Sequence, residues 1–157
     1  MTIEIDLSVE AGGWGDAEAV SALIRQSVDA AVGRLGAAAA DSELSVLLTD
    51  DAAMQRLNAQ WRDKDRPTNV LSFPAAALSP GDAPGPVLGD IVVAFQTVVA
   101  EAALEDKSFE DHLRHMIVHG LLHLFGYDHL TDEDADEMET LETAILADIG
   151  VSDPYSA

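Results

Sequence analysis

The sequence predicts an α+β fold, with a small mixed β-sheet packed with helices, in one domain that covers residues 1–157. Segments with the two-residue period of strands alternate with segments of helical period through the first two thirds of the chain, and the last third has helical patterns alone. A chain of 157 residues has the size of one ordinary domain. We find no internal repeat and no sign of a second domain.

The first part of the chain predicts two strands, each followed by a helix. Residues 3–9 alternate apolar and polar side chains, as a half-buried strand does. Asp16 can cap a helix whose apolar residues recur at helical spacing, and Gly36 can end it. The segment "ELSVLLT" is the second strand, and "DDAAMQRLNAQW" is a short helix begun by one of its two leading aspartates.

The remaining chain predicts two more strands and three helices. The strands are "NVLSF" and "GDIVVAF", and the segment between them, residues 74–88, holds four of the six prolines. We expect it to be a mobile loop beside the functional site, because long loops in compact domains are more often functional than structural. Helical patterns follow around residues 96–105, 108–125 and 131–149, and Thr131 with Asp134 resembles a capping box that begins the last of them.

Composition excludes several classes of protein. The first residues lack the basic and apolar regions of a signal peptide, and no run of 18 apolar residues occurs, so we expect a cytoplasmic protein with no membrane partner. The chain has no cysteine. Disulfides and thiolate ligands are therefore excluded, and any metal must be held by histidines and carboxylates.

The charge distribution is uneven. A formal net charge of -21 argues against a protein that binds nucleic acid over its whole surface. Four of the eight cationic residues nevertheless lie between Arg56 and Arg66. Because salt screens charges beyond roughly 8 Å, this cluster can act locally despite the acidic remainder of the surface. Arg62 is a candidate for binding a phosphate, because its guanidinium can donate two parallel hydrogen bonds, and Lys64 and Arg66 could contact the backbone of an RNA.

All five histidines lie within residues 112–129. Four of them fall within an arc of roughly 80° on one helix, at His112, His115, His119 and His123, with apolar residues on both sides. One interpretation is the solvent-exposed face of a surface helix, or a set of core histidines that are each satisfied by a hydrogen bond. The other is a metal site, because several imidazoles buried without a partner would leave polar nitrogens desolvated.

Distance selects the ligands if a metal is present. His119 and His123 are four residues apart on the helix, so their side chains can share one ion. Gly126 allows a left-handed turn that could carry His129 back toward this pair. Three imidazoles with an open fourth position are typical of a catalytic zinc, so the fold prediction includes a zincin-like metal site on a central helix.

The segment "HGLLHLFGYDH" has the histidine spacing of a zinc protease but Gly120 where the protease has its glutamate base. An open metal position lowers the pKa of bound water from about 15.7 to about 7, so hydroxide can form without that base. Peptide hydrolysis also needs a proton for the leaving amine. A phosphodiester instead needs its developing negative charge stabilised, and an arginine can do this.

Other residues near these motifs leave their roles open. His112 and His115 could support the metal ligands, contact a substrate or be exposed. Asp90 and Asp128 could each be the partner of a histidine or an ordinary surface acid. We expect Trp14 and Trp61 to be packing residues, because aromatic residues are too sparse to suggest a base-stacking surface.

Three segments in order, "RDKDRPTNVLSF", "LGDIVV" and "HGLLHLFGYDH", together resemble the YbeY family of bacterial endoribonucleases over most of the chain. The resemblance implies metal-dependent, single-strand-specific RNA cleavage in ribosomal RNA maturation and ribosome quality control. Its motif histidines match His119, His123 and His129, and its functional arginine matches Arg62. Asn69 stands where many relatives have aspartate.

The resemblance also completes the expected site. It implies one Zn²⁺ ion per chain on His119, His123 and His129, which with Arg62 would form the catalytic set, and another divalent transition metal could take the same ligands. Arg62, Lys64 and Arg66 are the expected substrate contacts. The expected partner is ribosomal RNA, in the small ribosomal subunit, and no binding to DNA is expected.

Two alternatives stay open at this stage. The first is a metallopeptidase that uses the same three-histidine zinc site, which the ligand spacing favours and Gly120 disfavours. The second is a non-catalytic ribosome-assembly binding protein whose metal is structural, in which a fourth protein ligand would close the coordination sphere.

Overall fold

The structure is a computed structural model that describes residues 2–36 and 41–156. Within these residues four strands and five helices follow one another: β1 (Ile3–Val9), α1 (Ala17–Leu35), β2 (Ser42–Thr49), α2 (Asp51–Arg62), β3 (Val70–Pro74), β4 (Val87–Ala94), α3 (Phe95–Leu104), α4 (Phe109–Leu124) and α5 (Asp132–Asp148).

The strands form one mixed sheet in the order β1-β2-β4-β3. β1 pairs with β2 and β2 with β4 in parallel, whereas β3 pairs with β4 antiparallel. This confirms the α+β class and the mixed sheet. The loop before β4 is shorter than we predicted, because Val87 already pairs with Glu43 of β2 and Leu88 is buried.

Short polar side chains begin the helices where the sequence predicted them. The Asp16 carboxylate accepts a hydrogen bond from the amide of Ala19, and Asp50, the first of the two candidates, caps α2 through the amide of Ala53. Thr131 caps α5 in the same way. Gly36 ends α1 with φ 54°, the left-handed conformation that glycine adopts without steric cost.

Different helices pack on the two faces of the sheet. One face carries the main core, built with α1, α4 and α5, and α4 also packs on α3, β3 and β4. On the other face a small apolar cluster, Met54, Val92 and Ala94, lies under α2. α4 is therefore the central helix, and most of its side chains are buried. No helix in the described part of the chain combines the length and apolarity that a membrane span requires.

Candidate functional site

The histidines of α4 divide into two pairs by burial. His112 and His115 are 3% and 8% exposed, so both lie in the core. His119 and His123, one and two turns further along, are half-buried and line a cleft at the C-terminal end of the helix. The histidine stripe thus runs from the interior to an open surface, and the sequence could not show where along it this change occurs.

The side chains of His119 and His123 face each other in the lining of this cleft. Their Nε2 atoms are 3.1 Å apart, which is close to the separation of about 3.4 Å expected for two nitrogens bound to one tetrahedral zinc. Burial, then the charge of His119, lowers the pKa of His123 and favours its neutral, metal-binding form. These two nitrogens therefore fit a metal ion.

His129 reaches the same cleft from the segment after α4. Its ring centroid lies 5.3 Å from that of His123 and 6.1 Å from that of His119, and its side chain is 58% exposed. Gly126 makes this approach possible with φ 98°, and a Cβ there would collide with the carbonyl oxygen of Leu78. The predicted turn at Gly126 is confirmed.

Two groups of side chains in the described residues bring three ligand atoms within 4.8 Å of one another. One is His115, His119 and Glu142, and the other is His123, Asp128 and His129. The three predicted ligands are split between these groups, with His119 and His123 linked by their 3.1 Å contact. A metal could thus be held in this region, and one carboxylate, Glu142, was missed from the sequence.

Glu142 is a fully buried acid on α5. Its Oε1 lies 2.5 Å from Nδ1 of His119, and its Oε2 lies 2.9 Å from Nε2 of His115 and also accepts the hydroxyl of Tyr155. Burial alone would raise the pKa of Glu142, but the hydrogen bonds from these three groups and the charge of His119 lower the pKa to about 2. The group is therefore a carboxylate.

His112 pairs with a different acid through Nε2. Its Nε2 lies 2.9 Å from Oε1 of Glu101 on α3, and the same carboxylate accepts hydrogen bonds from the side-chain amide of Asn69. His112 thus links α4, α3 and the start of β3. Of the roles left open for His112 and His115, exposure is wrong for both.

The two aspartates also have different surroundings. Asp128 borders the histidines, because its Oδ1 lies 3.9 Å from Nδ1 of His123 and accepts the amide of His129. Asp90 lies in the middle of β4, on an exposed part of the sheet beside Trp61 and Phe73, and lines a different cavity from that of the histidines.

Both tryptophans pack against other aromatic rings, but only Trp14 does so in the core. Trp14 is 4% exposed and lies among Phe95 and Phe109, so it is a core residue. Trp61 is 59% exposed and touches Phe73 edge-on. Trp61 therefore packs on the sheet surface rather than in the core.

Three members of the cationic cluster line the same cleft as the histidines. This cleft has a volume of about 660 Å³, and its lining includes Arg62, Lys64 and Arg66. It also includes His119, His123 and His129. The guanidinium of Arg62 donates a hydrogen bond to the carbonyl of Ser72 and lies 4.9 Å above the ring centroid of Phe73.

Arg62 is held in place at this rim although its side chain is exposed. The single hydrogen bond to Ser72 occupies one N–H group and leaves others of its five available to an anion. The cleft therefore combines imidazoles that fit a metal with cations that fit phosphates.

Gly120 packs against the sheet rather than into open space. A Cβ at this position would lie 3.1 Å from Oγ of Ser72 and 3.2 Å from Cγ2 of Ile91, both tighter than ordinary contacts. The Ser72 hydroxyl also donates a hydrogen bond to the carbonyl of Gly120. A glutamate at residue 120, as in the protease motif, would push α4 away from β3 and β4.

We expect Gly120→Ala to destabilise the protein by about 1–2 kcal/mol, because overpacking of the interface between α4 and the sheet, at about 1–3 kcal/mol, outweighs the gain of about 0.5–1 kcal/mol from replacing a glycine in a helix. Urea unfolding would measure the change. Gly33→Ala is the matched control, since Gly33 is an exposed position of α1 with no atom near a new Cβ, and this change should stabilise by about 0.5–1 kcal/mol. A Gly120→Ala variant as stable as the wild type would contradict the packing argument.

Together, the fold and the cleft define a small α+β protein with a histidine and arginine site suited to phosphodiester chemistry. The family model Endoribonuclease YbeY matches residues 10–150. The chain therefore belongs to the YbeY family, whose members are endoribonucleases.

Individual relatives agree with the family match. The Endoribonuclease YbeY of Agrobacterium fabrum is 54% identical over 98% of this chain and 95% of the relative. That of Bartonella henselae is 51% identical over 98% of both chains. Among solved structures, the solution structure of TM1509 from Thermotoga maritima matches with a TM-score of 0.58 at 25% identity, covering 99% of this chain and 97% of the other.

Proposed function

We propose that the chain, as one domain of residues 1–157, is a zinc-dependent endoribonuclease that cuts single-stranded regions of ribosomal RNA during its maturation and in ribosome quality control. Its site of action would be the small ribosomal subunit, in the cytoplasm. The observation that carries the proposal is that one cleft is lined both by three histidines and by Arg62, Lys64 and Arg66.

In this proposal His119, His123 and His129 hold the ion through imidazole nitrogens. A zinc ion bound there supplies Lewis-acid polarisation and positive charge at the scissile phosphate. The support for these ligands is the facing pair of Nε2 atoms in His119 and His123, together with the turn at Gly126 that brings His129 beside them.

Arg62 has the role of binding the phosphate whose negative charge grows during cleavage. Its hydrogen bond to Ser72 and its position over Phe73 restrict the guanidinium before substrate arrives, so less side-chain entropy is lost on binding. Lys64 and Arg66, both exposed at the same rim, would contact neighbouring phosphates. In this proposal, the contacts to RNA phosphates, which do not depend on base sequence, come from one short segment of an otherwise acidic protein.

A paired substrate assay tests the reaction class. We expect zinc-loaded protein to cleave an unstructured RNA and to leave casein intact, because Gly120 provides no general base for peptide hydrolysis. A His119→Ala variant serves as the background control in both assays. Casein cleavage that requires His119 would favour a metallopeptidase, and RNA binding without cleavage at any metal concentration would favour an assembly factor with a structural metal.

A further inference from the structure

The buried carboxylate of Glu142 lies directly behind the candidate metal ligands. It is 0% exposed, and a buried charge is costly unless hydrogen bonds compensate for the loss of water. All three of its partners are polar side chains: His119 on one oxygen, and His115 and Tyr155 on the other. The network joins α4, α5 and the segment that follows α5.

The contact to His119 determines which of its ring nitrogens is free. Because Nδ1 of His119 lies 2.5 Å from Oε1 of Glu142, Nδ1 carries the hydrogen that this carboxylate accepts. The lone pair of the neutral ring is then on Nε2, the atom that faces His123 at 3.1 Å. A carboxylate behind a ligating histidine fixes its tautomer and orientation and raises its basicity.

The distances argue against Glu142 as a metal ligand itself. Two ligand atoms of one tetrahedral zinc are separated by about 3.4 Å, whereas Oε1 of Glu142 is 2.5 Å from Nδ1 of His119. Its other oxygen is already shared by His115 and Tyr155. These distances fit a hydrogen-bonded network of His115, His119 and Glu142 better than they fit a second metal site.

Tyr155 connects this network to the end of the chain. Its ring packs edge-on to that of His115, with centroids 5.6 Å apart, and its hydroxyl binds Glu142. The neighbouring carbonyl of Pro154 accepts a hydrogen bond from Nζ of Lys107, in the turn between α3 and α4. The C-terminal segment is thus tied to the same side of α4 that supports His119.

We propose that Glu142 is a positioning residue for His119, and that Tyr155 and His115 hold this carboxylate in place. The inference rests on the proposed function, because it takes His119 to be a metal ligand through Nε2. It adds a role for the C-terminal segment, because loss of the Tyr155 hydroxyl should weaken metal binding. Tyr155 itself does not line the cleft that is formed with Arg62, Lys64 and Arg66.

Metal affinity is the direct measurement, made by competition between the full-length protein and a zinc chelator at fixed pH. We expect Glu142→Gln to weaken zinc binding by about 10- to 100-fold, as for other residues that support metal ligands, and Tyr155→Phe to weaken it less. Glu137→Gln, an exposed acid on the same helix with the same change in charge, should leave the affinity unchanged.

Two further readouts separate positioning from stability and from direct ligation. The ¹⁵N shifts of His119 in the metal-free protein should change from the Nδ1–H form to a mixture of tautomers in Glu142→Gln. Cobalt(II), used in place of zinc, should give the same d–d band positions in wild type and Glu142→Gln, because the ligands do not change. Shifted d–d bands in cobalt-loaded Glu142→Gln would instead identify Glu142 as a ligand and overturn the inference.

The outcomes also distinguish this inference from the proposed function. If the wild-type protein binds zinc, and both Glu142→Gln and Tyr155→Phe bind it with wild-type affinity, the positioning role is wrong while the metal site stands. If the wild type binds no divalent ion, the proposed metal site is wrong and the inference falls with it. Tyr155→Phe removes a single hydroxyl, so this comparison remains available if Glu142→Gln does not fold.

Discussion

Replacing His123 by alanine is expected to remove metal binding and RNA cleavage together. The change deletes one of three proposed ligands, and the two that remain, His119 and His129, lie farthest apart, with ring centroids 6.1 Å from each other. Affinity should fall by more than the roughly 100-fold that loss of a supporting residue can cost. Elemental analysis should find about one metal ion per chain in the purified wild type and none in His123→Ala. Cleavage of unstructured RNA should be lost in the same variant.

His112→Gln is the matched control for this experiment. It removes a histidine from the same helix, but His112 binds Glu101 in the core and does not line the cleft. The glutamine can still donate a hydrogen bond to Glu101, so metal content and cleavage should be retained even if the unfolding temperature falls. A full complement of metal in His123→Ala would contradict the proposed ligand set.

The sequence predicts most of the local structure because local structure follows from local chemistry. Asp16, Asp50 and Thr131 begin their helices as small polar residues that accept a backbone amide, and Gly36 and Gly126 take positive φ where a turn was expected. The strand order cannot be predicted from local chemistry. Nothing in the strand patterns shows that β4 lies between β2 and β3, since pairing depends on contacts far apart in sequence.

In the candidate site, too, some features can be predicted from the sequence and others depend on tertiary contacts. The step from His119 to His123 is readable because both are on one helix, whereas Glu142 lies 23 residues from His119 on another helix. A signal for Glu142 does exist in the sequence. It stands four residues after Met138 and three before Ile145, on the inward face of α5, where an acid requires a buried partner.

The sequence cannot name that partner, because which side of α4 packs against α5 is decided by tertiary contacts. The same holds for His112 and Glu101, which pair across α3 and α4. Gly120 is a further example. Its motif position raises the question of a missing base, but its packing against Ser72 and Ile91 is visible only once α4 lies on the sheet.

Arg62→Ala is expected to keep the metal and to reduce RNA cleavage by about 100- to 1,000-fold, the usual cost of removing one preorganised donor to a developing negative charge. The side chain is exposed and makes its hydrogen bond to a backbone carbonyl at the cleft rim, so its loss should change stability little. Single-turnover cleavage rates and zinc content, measured on the same preparations, would check both halves of the prediction.

Two comparisons show whether Arg62 acts through its shape or only through its charge. Arg56→Ala removes the same charge from an exposed position on α2 outside the cleft lining, and it should cleave at the wild-type rate. Arg62→Lys keeps the charge but lacks the planar fork of donors, so a rate well below wild type would indicate two-pronged phosphate binding. Full activity in Arg62→Ala would remove this residue from the mechanism, and loss of zinc would show that it acts on the structure of the site.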